Sequence, residues 1–317
     1  MPNLFRHLNI LKHKTLKQVQ GDNNRQVRND NALLYNNLMK LSAWVSITDL
    51  LPEKKSGFGE FIFDKFIKQK LFSKYNQKEV LLSLKKSGVN GIELLSTSNV
   101  SDKDIQKIQE MLTELDLSVF SVHQSISTLF NISIQEIEGL CEIAHKLKSE
   151  VVVLHINVIG NQIFKTDYVE ALKDLESKYK IKIGIENSPI SPLSLFKTYT
   201  WDRDKFSNLI KERGFNITFD TTHLAQTGKD IVDFYKKNKD RIVNIHLSDY
   251  KKSFLNKYLL LSNDTHLPLG KGTLPIKQFL DVLRENRYDG ITTMEINGTL
   301  TELCESARFI KNTILKI

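Results

Sequence analysis

Five short apolar runs reach a carboxylate or an imidazole at the same point: Val151 to His155, Ile181 to Glu186, Asn216 to Asp220, Ile242 to His246 and Ile291 to Glu295. Carboxylate oxygen combined with imidazole nitrogen is a ligand set suited to divalent Mn, Mg, Co or Zn. The same carboxylates can also take up and return protons. Other groups fall beside them. His123 ends a further strand-like run, His223 completes an Asp-x-x-His pair with Asp220, and Asp264-Thr265-His266 lies in a long connection. The nine candidates His123, His155, Glu186, Asp220, His223, His246, Asp264, His266 and Glu295 exceed the needs of one ion, so either two or three ions bind or some of these groups grip substrate. One strand-end acid alone is commonly a helix cap. Five ends in step point to a common centre.

Those positions need a scaffold that converges them. A parallel strand buried on both faces reads as a short β-branched run, and in a β/α barrel the residue at its C-terminal end faces the active-site mouth. Strands are expected near 41–47, 90–95, 118–123, 150–155, 181–186, 215–220, 242–246 and 291–296. Between them Ile105, Ile108, Met111, Leu112 and Leu115 keep helical spacing, as do Ile134, Ile137, Leu140, Cys141, Ala144 and Leu147, with Ser101 placed to cap the first of these helices. His145, on the second, reads as structural or solvent-facing. Alternation of strand and helix, with no glycine-rich phosphate fingerprint after the first strand, favours a closed barrel over an open doubly wound sheet. The expected fold is α/β, a single (β/α)8 TIM barrel over residues 39–317. About 28 residues separate the strand ending at His246 from the helix expected near Leu274, and ordered connections this long tend to be functional. With Asp249, Asp264, His266, Gly270 and Gly272, this connection is the expected active-site lid.

Residues 1–38 are rich in Asn, Gln, Lys and Arg without a sustained period and read as a disordered extension. Met39, followed directly by a first strand, reads as the natural start of translation. The extension carries Arg6, Lys12, Lys14, Lys17, Arg25 and Arg28 against Asp22 and Asp30, half of the chain's net charge of +8. The mildly basic remainder is compatible with a phosphorylated substrate or a nucleic acid and selects neither. At 317 residues and 40% hydrophobic, the chain can bury a sizeable core. It has no apolar run of the ~20 residues a membrane helix needs. Without a secretion signal, and with Cys141 and Cys304 both inside amphipathic patterns, the expectation is a cytoplasmic protein with reduced thiols.

Several motifs together resemble the xylose-isomerase-like barrel superfamily over about residues 40–317: Gly88-Val-Asn-Gly-Ile-Glu93, Val122-His123, Leu154-His155, Ile185-Glu186-Asn187, Phe219-Asp220-Thr-Thr-His223, Ile245-His246-Leu-Ser-Asp249, His266-Leu-Pro-Leu-Gly270-Lys-Gly272 and Met294-Glu295. That superfamily holds sugar-phosphate isomerases and epimerases together with apurinic/apyrimidinic-site (AP) endonucleases of the endonuclease IV type, AP endonuclease family 2. For the isomerase and epimerase branch, the resemblance implies one divalent ion on Glu186, Asp220, His246 and Glu295. Glu186 and Glu295 then move protons beside the carbonyl of a small sugar or polyol, and His223, His155 and Lys252 contact substrate. The endonuclease branch implies up to three zinc ions, with His123, His155, His223, Asp264 and His266 as additional ligands and abasic DNA as partner. Two departures point away from it. The aromatic residue expected after the third-strand histidine is replaced by Ile126 in His123-Gln-Ser-Ile126, and Ser188-Pro-Ile-Ser-Pro192 stands where a small, Gly-containing stretch is expected. The expectation is therefore a metal-dependent isomerase or epimerase working through an enediolate, with AP endonuclease as the alternative; homo-oligomerisation is compatible with either.

Overall fold

Eight strands pair in sequence order, every pair parallel, and the first closes on the last through Lys40↔Ile291 to Ala43↔Met294. The computed structural model describes residues 39–52, 75–125, 132–156, 165–187, 203–252 and 264–315. The extension at 1–38, Ile126, the 188–192 stretch and positions 253–263 of the expected lid lie outside the described residues. The strands are β1 (Lys40–Ser46), β2 (Gly91–Ser96), β3 (Ser118–Gln124), β4 (Val151–His155), β5 (Lys182–Glu186), β6 (Asn216–Asp220), β7 (Ile242–Leu247) and β8 (Ile291–Met294). The helices are α1 (Ile47–Leu50), α2 (Gln77–Ser87), α3 (Asp102–Glu114), α4 (Ile134–Lys146), α5 (Thr166–Tyr179), α6 (Arg203–Arg213), α7 (Thr221–Gln226), α8 (Ile231–Asn238), α9 (Ile276–Glu285) and α10 (Leu300–Leu315). The expected strands are all present within one or two residues.

Local chemistry starts and stops these helices. Asn76 with Glu79, Ser101 with Asp104, and Ser133 with Glu136 form reciprocal capping boxes at the starts of α2, α3 and α4. Each satisfies N–H groups that the first turn leaves without helical partners. Gly88 ends α2 at φ +113°, a conformation that a side chain would strain.

Apolar residues of the strands and the inner helix faces form one continuous core, including Val122, Leu154, Ile185, Phe219, Ile245, Phe279, Leu303 and Ile310. Complete burial of each such side chain is worth roughly 1.5–3 kcal/mol relative to exposure. A second, small apolar cluster joins Val151, Val153 and Ile291. Beside it, the buried polar residues Glu93, Ser121, Asn244 and Thr293 are linked by hydrogen bonds running across the barrel from β2 to β7. Gly184 on β5 makes room there, because a Cβ at this position would stand 2.4 Å from Thr218 Oγ1.

Candidate metal centre

At the C-terminal ends of β5 to β8, ligand atoms of Glu186, Asp220, His246 and Glu295 all lie within 4.8 Å of one another. Each strand delivers its last inward-facing residue, or in the case of Glu295 the residue just past β8, so strand geometry alone brings the four together. His246 Nδ1 lies 2.9 Å from Glu295 Oε2, 3.5 Å from Glu186 Oε1 and 4.0 Å from Asp220 Oδ2. Asp220 does two jobs. Its Oδ1 caps α7 by accepting from the His223 N–H at 2.6 Å, while Oδ2 is left for the cluster. The neighbouring Asn187 locks the ends of β5 and β6 together: its Oδ1 accepts from Asp220 N at 2.8 Å and its Nδ2 donates to Asp220 O at 2.9 Å.

Three further groups adjoin this one, the third being Glu93, His123 and His246. His123, His155 and Glu186 form the first, with His155 Nδ1 at 3.0 Å and His123 Nε2 at 3.4 Å from Glu186 Oε2. His123 Nδ1 donates to Gln124 O at 2.8 Å, which turns Nε2 toward Glu186. Asp220, His223 and His266 form the second. Here His223 Nδ1 donates to Asn187 O at 3.0 Å, and His266 Nδ1 lies 3.3 Å from Ser248 Oγ. Glu186, Asp220, His123 and His246 thus each belong to two groups.

The donors fit a divalent cation. Glu186 Oε1 and Oε2, Asp220 Oδ2, His246 Nδ1 and Glu295 Oε2 are buried, and none makes an aligned hydrogen bond despite neighbours at ion-pair distance. Three carboxylates and an imidazole facing one point without hydrogen bonds is the environment a 2+ ion satisfies. The electrostatics carry the same strain. Burial raises the Asp220 carboxyl, with Glu295 and Glu186 adding to the rise against His223 and His266. Burial also opposes ionisation of Glu186, yet His155, His246 and His123 hold it well below the usual range. Glu295 is likewise lowered against burial, by His266 and His246. Burial lowers His223, but the Asp220 and Glu186 carboxylates outweigh it and raise the imidazole to about 9.

The clasp that presents His266 was not legible as such in the sequence. Asp249 is buried, its Oδ2 accepting from the N–H groups of Gly270 and Gly272 and its Oδ1 from those of Tyr250 and Leu274. Asp249 and Leu267 also exchange backbone hydrogen bonds in an antiparallel bridge. A Cβ at Gly272 would stand 2.3 Å from Asp249 Oδ1, so this glycine is needed for close approach. His266 itself sits at φ +50°, uncommon for a non-glycine residue.

Eight of the nine candidate ligands enter one of these groups. Asp264 does not: it is half-buried, and its carbonyl accepts from Lys251 N at 3.0 Å. Lys252 is exposed just before position 253. His145 is exposed on α4, its Nδ1 donating to Tyr179 O. Sequence reasoning missed Glu93 and Asn244 as site residues. Their signal was a polar residue in the middle of an otherwise apolar strand, in Gly-Ile-Glu93-Leu-Leu and Ile-Val-Asn244-Ile-His.

A model of xylose isomerase-like TIM barrels matches residues 81–313. The chain belongs to the xylose isomerase-like TIM barrel family. It is similar to the uncharacterized protein MJ1311 of Methanocaldococcus jannaschii, 27% identical over 243 residues, which are 68% of this chain and 76% of that protein. Solved structures share the fold. A D-tagatose 3-epimerase-like protein superposes with a TM-score of 0.56 at 22% identity, over 87% of this chain and 97% of the other. An AP endonuclease, family 2, from Brucella melitensis gives 0.55 at 14% identity, over 73% and 92%. Among the described residues, no helix is long and apolar enough to cross a membrane.

Proposed function

We propose that this xylose isomerase-like barrel is a divalent-metal-dependent isomerase or epimerase of a small sugar or polyol, working by proton transfer through an enediolate. The observation that carries the reading is the meeting of Glu186 and Glu295, two carboxylates held ionised by histidines, in one group with Asp220 and His246. A bound divalent ion would supply electrostatic stabilisation for negative charge developing on a substrate carbonyl oxygen. Glu186, Asp220, His246 and Glu295 would hold it. Glu295, whose side chain is 24% exposed against 1% for Glu186, has the readier access to a substrate proton at the mouth. Glu186 would exchange the second proton from the opposite side, and His155 and His223, both hydrogen-bonding groups beside it, would orient substrate hydroxyls. The similarity to an epimerase-like structure supports this reading, and we take the cytoplasm to be its place of work.

One observation favours a second reading, zinc-dependent cleavage of DNA at abasic sites. Glu186 and Asp220 are each shared between neighbouring ligand groups, an arrangement with room for three ions. The two readings part in one experiment on the metal-loaded protein. Incubation with ketoses or inososes in deuterium oxide should place solvent deuterium on the carbon adjacent to the carbonyl, with a single tightly held ion sufficing. No exchange across such a panel, together with abasic-site cleavage by a three-zinc preparation that weakens steeply with salt, would sink the isomerase reading.

A further inference from the structure

His246 is held from both sides by carboxylates and enters two candidate ligand groups, one with Glu186, Asp220 and Glu295 and one with Glu93 and His123. Its Nδ1 meets Glu295, Glu186 and Asp220, whereas its Nε2 stands at ion-pair distance, 2.9 Å, from Oε1 of Glu93 and 3.3 Å from Nδ2 of Asn244, an amide that already donates to the other oxygen of Glu93. Glu93 sits in the middle of β2 with 0% exposure, beneath the site rather than in its mouth. Its other oxygen, Oε2, accepts from Ser121 Oγ of β3 at 2.6 Å and from Asn244 Nδ2 of β7 at 2.6 Å. Asn244 is oriented in turn by Thr293 of β8, whose Oγ1 donates to Asn244 Oδ1 at 3.1 Å. Four strands therefore fix one carboxylate behind one imidazole.

A neutral imidazole carries its proton on one nitrogen and its lone pair on the other, and only the lone pair can bind a metal. Left to the three carboxylates around Nδ1, the proton would be drawn there, with Glu295 Oε2 2.9 Å away and the charges of Glu186 and Asp220 behind it. That tautomer cannot be a ligand. A fourth carboxylate at Nε2 competes for the same proton from behind, and winning it frees the Nδ1 lone pair. We propose that Glu93 is the positioning residue that makes His246 a metal ligand, by holding the Nε2–H tautomer and fixing the ring plane through the Ser121–Glu93–Asn244–Thr293 network. Partners of this kind behind ligating histidines commonly set affinity. The inference rests on the reading of Glu186, Asp220, His246 and Glu295 as a metal site, and not on which reaction that site serves.

The test is a titration of the full chain with Co²⁺, followed by its visible absorption and by calorimetry, in wild type, Glu93→Gln and Ser121→Ala. Glu93→Gln keeps the volume and removes the charge. It should weaken Co²⁺ binding on the order of 10–100-fold and change the absorption band, while leaving the melting temperature of the metal-free protein close to wild type. Ser121→Ala strips one hydrogen bond from Oε2, leaves the charge in place and should weaken binding severalfold. This second variant decides the matter if Glu93→Gln does not fold. Wild-type affinity and spectrum in whichever of the two variants folds would overturn the proposal while leaving the metal reading standing. A saturated stoichiometry one ion lower in Glu93→Gln would make Glu93 a ligand of a separate ion, and would also overturn it. Failure of the wild type to bind Co²⁺ at all would remove the metal reading and this inference together.

Discussion

Single side chains in this barrel carry two tasks, and substitutions can separate them. Asp220 caps α7 with one oxygen and faces the ligand group with the other. Asp220→Asn should therefore retain the cap but lose most metal affinity, whereas Asp220→Ala should in addition lose about 1 kcal/mol of stability. Paired metal titrations and thermal denaturation check both parts. Glu295→Gln, by contrast, should abolish turnover with little effect on folding, because the amide keeps the volume without the basicity; wild-type turnover at saturating metal would exclude Glu295 as base or ligand. Proton release on metal uptake provides a further check. His223 is raised to about 9 and His246 well above its ordinary value, in each case by carboxylates that outweigh burial. His223 therefore carries a second ring proton at pH 7 in the metal-free protein, and the shift of His246 runs in the same direction. A histidine must lose that proton to ligate, so uptake at pH 7 should release at least one proton and affinity should climb as pH rises toward 9. Calorimetry in buffers of different ionisation enthalpy measures the release, and pH-independent uptake without it would contradict the assignment.

At the scale of elements, the connection after β7 depends on one carboxylate. Asp249→Ala deprives four backbone N–H groups of their acceptor, and each buried donor left unsatisfied costs about 1–3 kcal/mol. The expected result is a clear fall in melting temperature, with Asp249→Asn milder because it keeps one accepting oxygen; an unchanged melting curve for the alanine variant would show that the clasp is dispensable. This dependence also shows where sequence reading ran out. Strands ending at His155, Glu186, Asp220 and His246 were legible because burial on both faces writes a continuous apolar run, and the polar residue that stops the run marks the mouth. Asp249 was legible as a member of that connection but not as its clasp, since three of its four partners are backbone groups more than twenty residues away and backbone groups have no letter in the sequence. Glu93 was written as part of a motif but not as part of the site, because its contacts with Asn244 and His246 on β7 exist only where barrel closure through β8 and β1 brings β2 and β7 together.

Across the whole molecule, the two thiols report on global opening. Burial, with Glu138 and Glu176 nearby, pushes the Cys141 thiol up to about 12, and burial likewise raises Cys304. Both side chains lie in the main apolar core. A thiol reagent at pH 8 should modify neither in the folded protein and both in denaturant, because the thiolate is the reactive form. Rapid labelling of either under native conditions would mean that the helical layer opens locally around α4 or α10.

The four candidate ligands arrive from β5, β6, β7 and β8, consecutive in the chain as well as in space. An ion bound there would be a clip on the later half of the barrel, closing unfolded-chain loops of about 34, 26 and 49 residues that would otherwise carry their full closure entropy. Ligand binding to the native state alone stabilises it by mass action, about 2.7 kcal/mol at a hundredfold excess over the dissociation constant. Partial openings that break the clip should feel that gain, and openings confined to β1 and β2 should not. Hydrogen exchange with and without the ion should therefore show slowing concentrated in β5 to β8. Uniform slowing around the ring would mean instead that the barrel comes apart only as a whole.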